Sequence, residues 1–224
     1  MINSFSDKKP VSTLVAILSL SFVLLLCFSC GSLPKNTLPE DAGSRPVSWF
    51  ESDSDHYLFN TSIDFMKNHL SGLTVVKPLS SGNYRVVILT ETGLKIMDME
   101  FFADSEPRIH YIMEQLNRKI MIRTLQKDMN LMLMNHVENM NPFWYSNYPV
   151  NPGMNALYKV NSERYFYTID KGQIHPSVAM MGKGRKFKSV VHFFGTNVSG
   201  IDSLKLQHNN IDLSIGLFRI HELQ

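Results

Sequence analysis

Two cysteines, Cys27 and Cys30, are the only thiols in a chain of 224 residues. At that spacing they could bind zinc or cycle as a redox pair, but zinc needs further ligands in a folded setting. The run from Leu14 to Phe28 around them is almost wholly apolar and offers neither. The eight histidines, at positions 56, 69, 110, 136, 175, 192, 208 and 221, include no His-Glu-x-x-His pair for a metal. Gly-x-Ser-x-Gly and the phosphate-cradling Gly-x-x-x-x-Gly-Lys loop are both absent. Carboxylates such as Glu91 and Asp98 are not brought together by any spacing that sequence can read. Catalytic and metal-binding residues are therefore not expected, and the expectation is a protein that is not an enzyme.

The thiols make sense as part of a leader. Lys8 and Lys9 supply a short positive region, softened by Asp7, ahead of the apolar run. A charged start, an apolar stretch of about 15 residues and a small residue before a cut form a secretory signal. The stretch is short of the roughly 20 apolar residues of a comfortable membrane span. An uncleaved anchor, with both cysteines as ordinary apolar-segment residues, is the competing reading. Ser29-Cys30-Gly31-Ser32 resembles a bacterial lipobox. That resemblance implies removal of residues 1–29, with Cys27 among them. It also implies that Cys30, as the new first residue, carries diacylglycerol and a further acyl chain such as palmitate. Chains in that number hold a protein to a bilayer essentially permanently. Gly31 and Ser32 lack the acidic residue that retains lipoproteins in the inner membrane, so the outer membrane, on its periplasmic face, is the expected location.

From Cys30 onward 195 residues remain, enough for one good-sized domain. Losing Lys8, Lys9 and Asp7 with the leader leaves a net charge of +1 and no basic stripe for nucleic acid. Residues 30–50 read as the lipidated terminus and a tether, because Gly31 to Pro46 is polar and proline-bearing. Fully extended, those 16 residues reach roughly 55 Å. Residues 51–224 are then the folded domain.

Its texture is mostly sheet. Tyr57, Phe59, Ile63 and Phe65 alternate, as do Leu73 and Val75. "YRVVILT" is dense in β-branched residues, and "SSGN" and "ETG" are turn chemistry. These stretches, with "LKIMDMEFF", predict four antiparallel strands. From Asp104 the period changes. Ile109, Ile112, Met113, Leu116 and Ile120 fall at helical spacing, and Leu125, Met129, Met132 and Leu133 continue the stripe after a slip. One long helix, bent or restarted near Ile120 to Arg123, is the expectation. Six further strands follow "NMNPFWYSNYPVNPG", giving about ten in all. A long, twisted sheet curls, so the expected fold is mainly β (α+β). It is a curved antiparallel sheet or incomplete barrel with the helix in its concave face.

The order signal, lipidated cysteine, tether, four-strand meander and helix, with "LSGLTVVK" and "NYRVVILTETGLKIMDMEF" between His56 and Asn135, resembles the LolA/LolB superfamily. The resemblance implies a half-barrel with a cavity for acyl chains under helical segments. It also implies a part in carrying lipid or lipoproteins to the outer membrane. LolB proteins carry an exposed apolar residue in the loop matching Thr90 to Gly93. Here that loop is polar, and Leu94 is the nearest apolar residue.

Eight of the thirteen methionines fall between Met97 and Met140, and their adaptable thioethers suit either a lipid cavity or a core. The expected lining is Val75, Val86, Ile88 and Ile96 on the sheet, with Ile112, Met113, Leu116 and Ile120 on the helix. Partners are then membrane lipid through Cys30 and acyl chains or lipoproteins. The alternative is a tethered module with a filled core that docks onto an envelope protein complex, with Phe143, Trp144, Tyr145 and Tyr148 as its first interface suspects. Lys183, Arg185, Lys186 and Lys188 form either a basic tip for anionic headgroups or a solvated turn.

Overall fold

In a computed structural model the described residues are 45–50, 55–80, 82–102, 105–137, 140–146, 154–170, 172–183 and 186–221. The leader, Cys27, Cys30, Tyr148 and Arg185 lie outside them. Every described strand and helix belongs to one compact unit, Thr37–Gln224.

Four strands open the fold: β1 (Tyr57–Phe65), β2 (Asn68–Ser80), β3 (Asn83–Thr90) and β4 (Lys95–Phe101). A short β5 (Arg108–Ile112) and a 3₁₀ turn (Glu114–Leu116) lead to helix α1 (Lys119–Leu133). Then come β6 (Phe143–Ser146), β7 (Met154–Val160), β8 (Glu163–Ile169) and β9 (Val178–Lys183). The long β10 (Lys186–Thr196), β11 (Gly200–His208) and β12 (Leu213–Arg219) complete the chain. All pair antiparallel in one sheet of order β5-β4-β3-β2-β1-β12-β11-β10-β9-β8-β7-β6. The first and second halves join where β1 pairs β12, with Thr61 opposite Leu217.

Twelve strands replace the expected ten, and the two additions are the two edges of the sheet. β5 occupies the start of the expected helix. Ile109 and Ile112 are strand residues there, because "RIHYI" pairs with β4 through Met97 opposite Ile112. Only the stretch from Lys119 is α-helical. Arg118 caps it without a side-chain hydrogen bond, and its other end stops at Met134 in the left-handed region, φ 56°.

The sheet is unclosed and curved. Ile96 on β4 and Leu204 on β11 line the same cavity, although five strand spacings separate them. On a flat sheet they would stand about 24 Å apart. Helix α1 lies across the concavity and sends Met121, Leu125, Met129, Met132 and Leu133 toward the sheet.

Part of the interior is polar. His136 stands among Tyr158, Tyr165 and Tyr167, with ring centroids 4.5–5.8 Å away. Burial alone pushes its pKa down to about 3, so the imidazole is neutral.

The described end of the stretch assigned to the tether, residues 45–50, packs into the fold. Trp49 and Phe50 are core residues, 6% and 1% exposed. The Trp49 indole stacks on His175 at 4.3 Å and donates Nε1–H to Pro176 O at 2.8 Å. Ser48 Oγ donates to Leu133 O at 2.9 Å, tying this strap to the end of α1.

Candidate functional site

A cavity of about 210 Å³ lies between α1 and the concave face of the sheet. Its sheet wall comes from Thr74 and Val76 on β2, Val86 and Ile88 on β3, and Ile96 and Met97 on β4. Across from these stand Leu204 on β11 and Leu213, Ile215 and Leu217 on β12. Thr74 and Asn68 are the two polar members of the lining. The Thr74 hydroxyl is already engaged, accepting from Thr61 Oγ1 at 2.6 Å. Among the described residues nothing ionisable lines the cavity, so the site favours apolar matter by burial alone, at roughly 0.8 kcal/mol per methylene.

The cavity has a closed end and an open one. Along β1 exposure rises from Phe59, fully buried, to Ile63 and Phe65, half-buried. Along β2 it falls from Leu70, 37% exposed, to Val76, 2%. Leu213 and Ile215 on β12, and Met121 and Met129 on α1, repeat the gradient. The mouth therefore lies where β1 turns into β2, β11 into β12, and α1 begins. At the closed end Phe50 meets Tyr57, Phe59 and Tyr84 edge-on, at centroid distances of 5.3, 6.1 and 6.3 Å.

Of the residues expected to line a cavity, Val86, Ile88, Ile96, Met113 and Leu116 are on its wall. The other three are corrected. Val75 is half-buried on the opposite face of β2, because Thr74 and Val76 are the residues turned inward. Ile112 packs against the core from the edge strand without reaching the cavity. Ile120 is 73% exposed, because α1 begins only one residue earlier and presents Met121 instead. Phe50 and the helix residues Met121, Leu125, Met129 and Met132 were missed as lining. Leu125, Met129 and Met132 were legible as an apolar stripe, Met121 lay one residue off the stripe at Ile120, and Phe50 followed a polar stretch that gave no sign of burial. Five of the described methionines face the cavity: Met97, Met113, Met121, Met129 and Met132.

Helix α1 is held down by polar clamps. His208 Nε2 meets Asp128 Oδ2 at 2.9 Å, and Ser189 Oγ donates to Asp128 Oδ1 at 3.3 Å. Burial by itself would lower the His208 pKa, but the hydrogen bond and charge of Asp128 raise it on balance. A serine, a histidine and an aspartate thus meet, yet all are buried and the carboxylate engages both partners. That is a brace between helix and sheet. Beside it, Glu163 accepts from Lys127 at 2.5 Å and Lys188 at 3.3 Å.

Other residues singled out by sequence fall elsewhere. Asp98 is buried under Arg85 and Lys95, far from acting with Glu91 at the exposed β3–β4 turn. Phe143, 49% exposed, lies on edge strand β6 with Lys159 Nζ 4.6 Å from its ring, and Trp144 packs partly into the core. Lys183 is exposed at the β9–β10 tip. Leu94, 68% exposed, stands at the β3–β4 turn. Among the described residues no group of three or more His, Cys, Asp or Glu could hold a metal ion. None of the described helices is long and apolar enough to cross a membrane.

Solved structures resemble this chain in fold. A LolA superfamily protein from Nitrosomonas europaea matches with a TM-score of 0.49 at 9% identity, over 78% of this chain and 89% of its own. A DUF1329 family protein from Desulfovibrio piger matches at 0.44 and 10% identity, over 75% and 85%. An outer membrane lipoprotein-sorting protein domain, so described, from Vibrio parahaemolyticus matches at 0.45 and 5%, over 79% and 86%. No protein-family model matches the sequence, and neither does any curated protein.

Proposed function

We propose that this protein is a non-enzymatic binder of acyl chains, those of a free lipid or of a lipidated protein, held between α1 and the sheet. The observation that carries this reading is the cavity: lined by apolar side chains save Thr74 and Asn68, closed at Phe50 and open at the α1 end. Its volume exceeds the roughly 150 Å³ at which a dry apolar cavity already takes up benzene. One chain enters tail first and leaves its polar head at the mouth. The methionine side chains accommodate different tails by changing rotamer rather than backbone. In this reading the protein belongs to the outer membrane, anchored by lipid on Cys30, and passes lipid or lipoprotein cargo within the envelope. A docking module with a filled core is the weaker reading, because the core is not filled.

The test uses the chain from Thr37, purified without detergent and extracted with organic solvent. Mass spectrometry is expected to find stoichiometric lipid, and Leu116→Trp or Met113→Trp is expected to remove it. A well-folded protein with no lipid, and no uptake of a fluorescent fatty acid, would overturn the reading. The anchor is tested separately. Radiolabelled palmitate should enter the full chain in bacterial cells but not its Cys30→Ala variant, and labelling of both would exclude Cys30 as the site.

A further inference from the structure

We propose that Phe50 is the stop that sets how long an acyl chain the cavity accepts. The inference rests on the acyl-chain reading and adds a specificity-determining residue to it.

The cavity can adapt in width but not in depth. Its side wall includes unbranched methionines from both α1 and β4, whose three rotatable bonds let them yield to a ligand. The floor is different. The Phe50 ring is 1% exposed and held by edge-on contacts with three aromatic rings. Its backbone is fixed as well. The Phe50 N–H donates to Ser48 Oγ at 3.2 Å, and that hydroxyl donates to the last helical carbonyl, Leu133 O. The preceding residue, Trp49, is pinned to Pro176 and His175 on the other side of the strap. A chain entering from the mouth therefore meets a rigid ring at a fixed distance, and methylenes beyond that depth stay in water.

Binding energy then grows with chain length only as far as the floor. Each methylene that reaches the cavity strengthens binding about fourfold, and each one left outside adds nothing. Removing the ring lowers the floor, because a deleted core side chain leaves a void unless its surroundings collapse.

The experiment measures saturated fatty acids of 8 to 18 carbons by displacement of a dansyl fatty acid from the chain beginning at Thr37. The unsubstituted protein is expected to show rising affinity and then a plateau. Phe50→Ala is expected to move the plateau about two to three carbons longer, the length of the void its ring leaves. Phe50→Leu should move it less far in the same direction, and Phe50→Trp toward shorter chains. Ile120→Ser, on the solvent side of α1, should leave the plateau in place. Should Phe50→Ala fail to fold, the leucine and tryptophan variants decide by themselves. An unchanged plateau in folded Phe50 variants, or no plateau in the unsubstituted protein, overturns the stop while leaving the cavity's ligand class intact. Failure of the unsubstituted protein to bind any chain overturns the acyl-chain reading and the stop together.

Discussion

His208 Nε2 lies 2.9 Å from Asp128 Oδ2, joining β11 to the helix that walls the cavity. The carboxylate has no exposed surface, so it depends on this partner and on Ser189. Removing one member of a buried pair strands the other's charge. His208→Ala is therefore expected to cost about 3–5 kcal/mol in urea unfolding. Replacing both His208 and Asp128 by leucine should be nearly neutral or stabilising. A small loss in the single variant would show that water already reaches Asp128.

The same pair gives stability a slope on the alkaline side. The His208 pKa is raised in the fold, so its contribution is complete below the unfolded value of about 6.5 and disappears as pH rises through the higher folded value. The groups facing the pair are Ser189, Asn210 and Lys127, with Glu163 and Lys188 adjacent. Urea midpoints should fall between pH 6 and pH 9 more steeply than in His208→Gln. Parallel profiles would assign the slope to another group.

Asp98 gives the opposite dependence. The hydrogen bond from Arg85, reinforced by Lys95, outweighs burial and holds its pKa at about 2. That contribution is present above the unfolded value of 3.8 and is lost as pH falls toward 2. Asp98→Asn should reduce stability at pH 7 by about 1–3 kcal/mol. It should also flatten the acid limb of the pH profile between pH 4 and pH 2. An acid limb that keeps its full steepness would assign it to other carboxylates.

Gly72 sits in the middle of β2, opposite Thr90, where the sheet leaves no room for a side chain. A Cβ there would lie 2.0 Å from Leu89 O, a backbone atom that cannot move without unpairing β3. Gly72→Ala is expected to cost several kcal/mol, in the exceptional range for a single substitution. Circular dichroism melts would show it, and a wild-type melting temperature would mean that β2 and β3 can separate locally without loss.

Leu125 and Ile120 lie on the same helix and should behave differently. Leu125 lines the cavity, whereas Ile120 stands largely in solvent. Leu125→Trp is expected to abolish fatty-acid uptake. Ile120→Ser should leave uptake unchanged and alter stability by no more than about 0.5 kcal/mol. Equal loss of uptake in both would mean that the start of α1 moves onto the ligand.

The long strands were legible because their inward and outward positions differ in kind: Tyr57, Phe59 and Thr61 against Leu58, Asn60 and Ser62 leave one choice of face on β1 only where polar residues intervene. Around Val75 and Val76 both positions carry the same side chain, so period alone could not say which points inward. The edge strand β5 was read as helix because Ile109 and Ile112 are three apart and follow Pro107, a pattern a first helical turn shares. No capping side chain marks the true start at Lys119. Phe50 was invisible for another reason. Its burial is fixed by contacts with residues as distant as Tyr84 and, through Ser48, Leu133, and no local pattern encodes contacts of that range.

The strap also gives the molecule a direction. The described chain enters the domain at Arg45, which hydrogen-bonds Asn141, and reaches the floor of the cavity within five residues. The mouth is at the far end of the same strands. The described chain thus reaches the cavity at its closed end, on the side away from the mouth. Under the acyl-chain reading proposed above, cargo then enters at the mouth without displacing the strap.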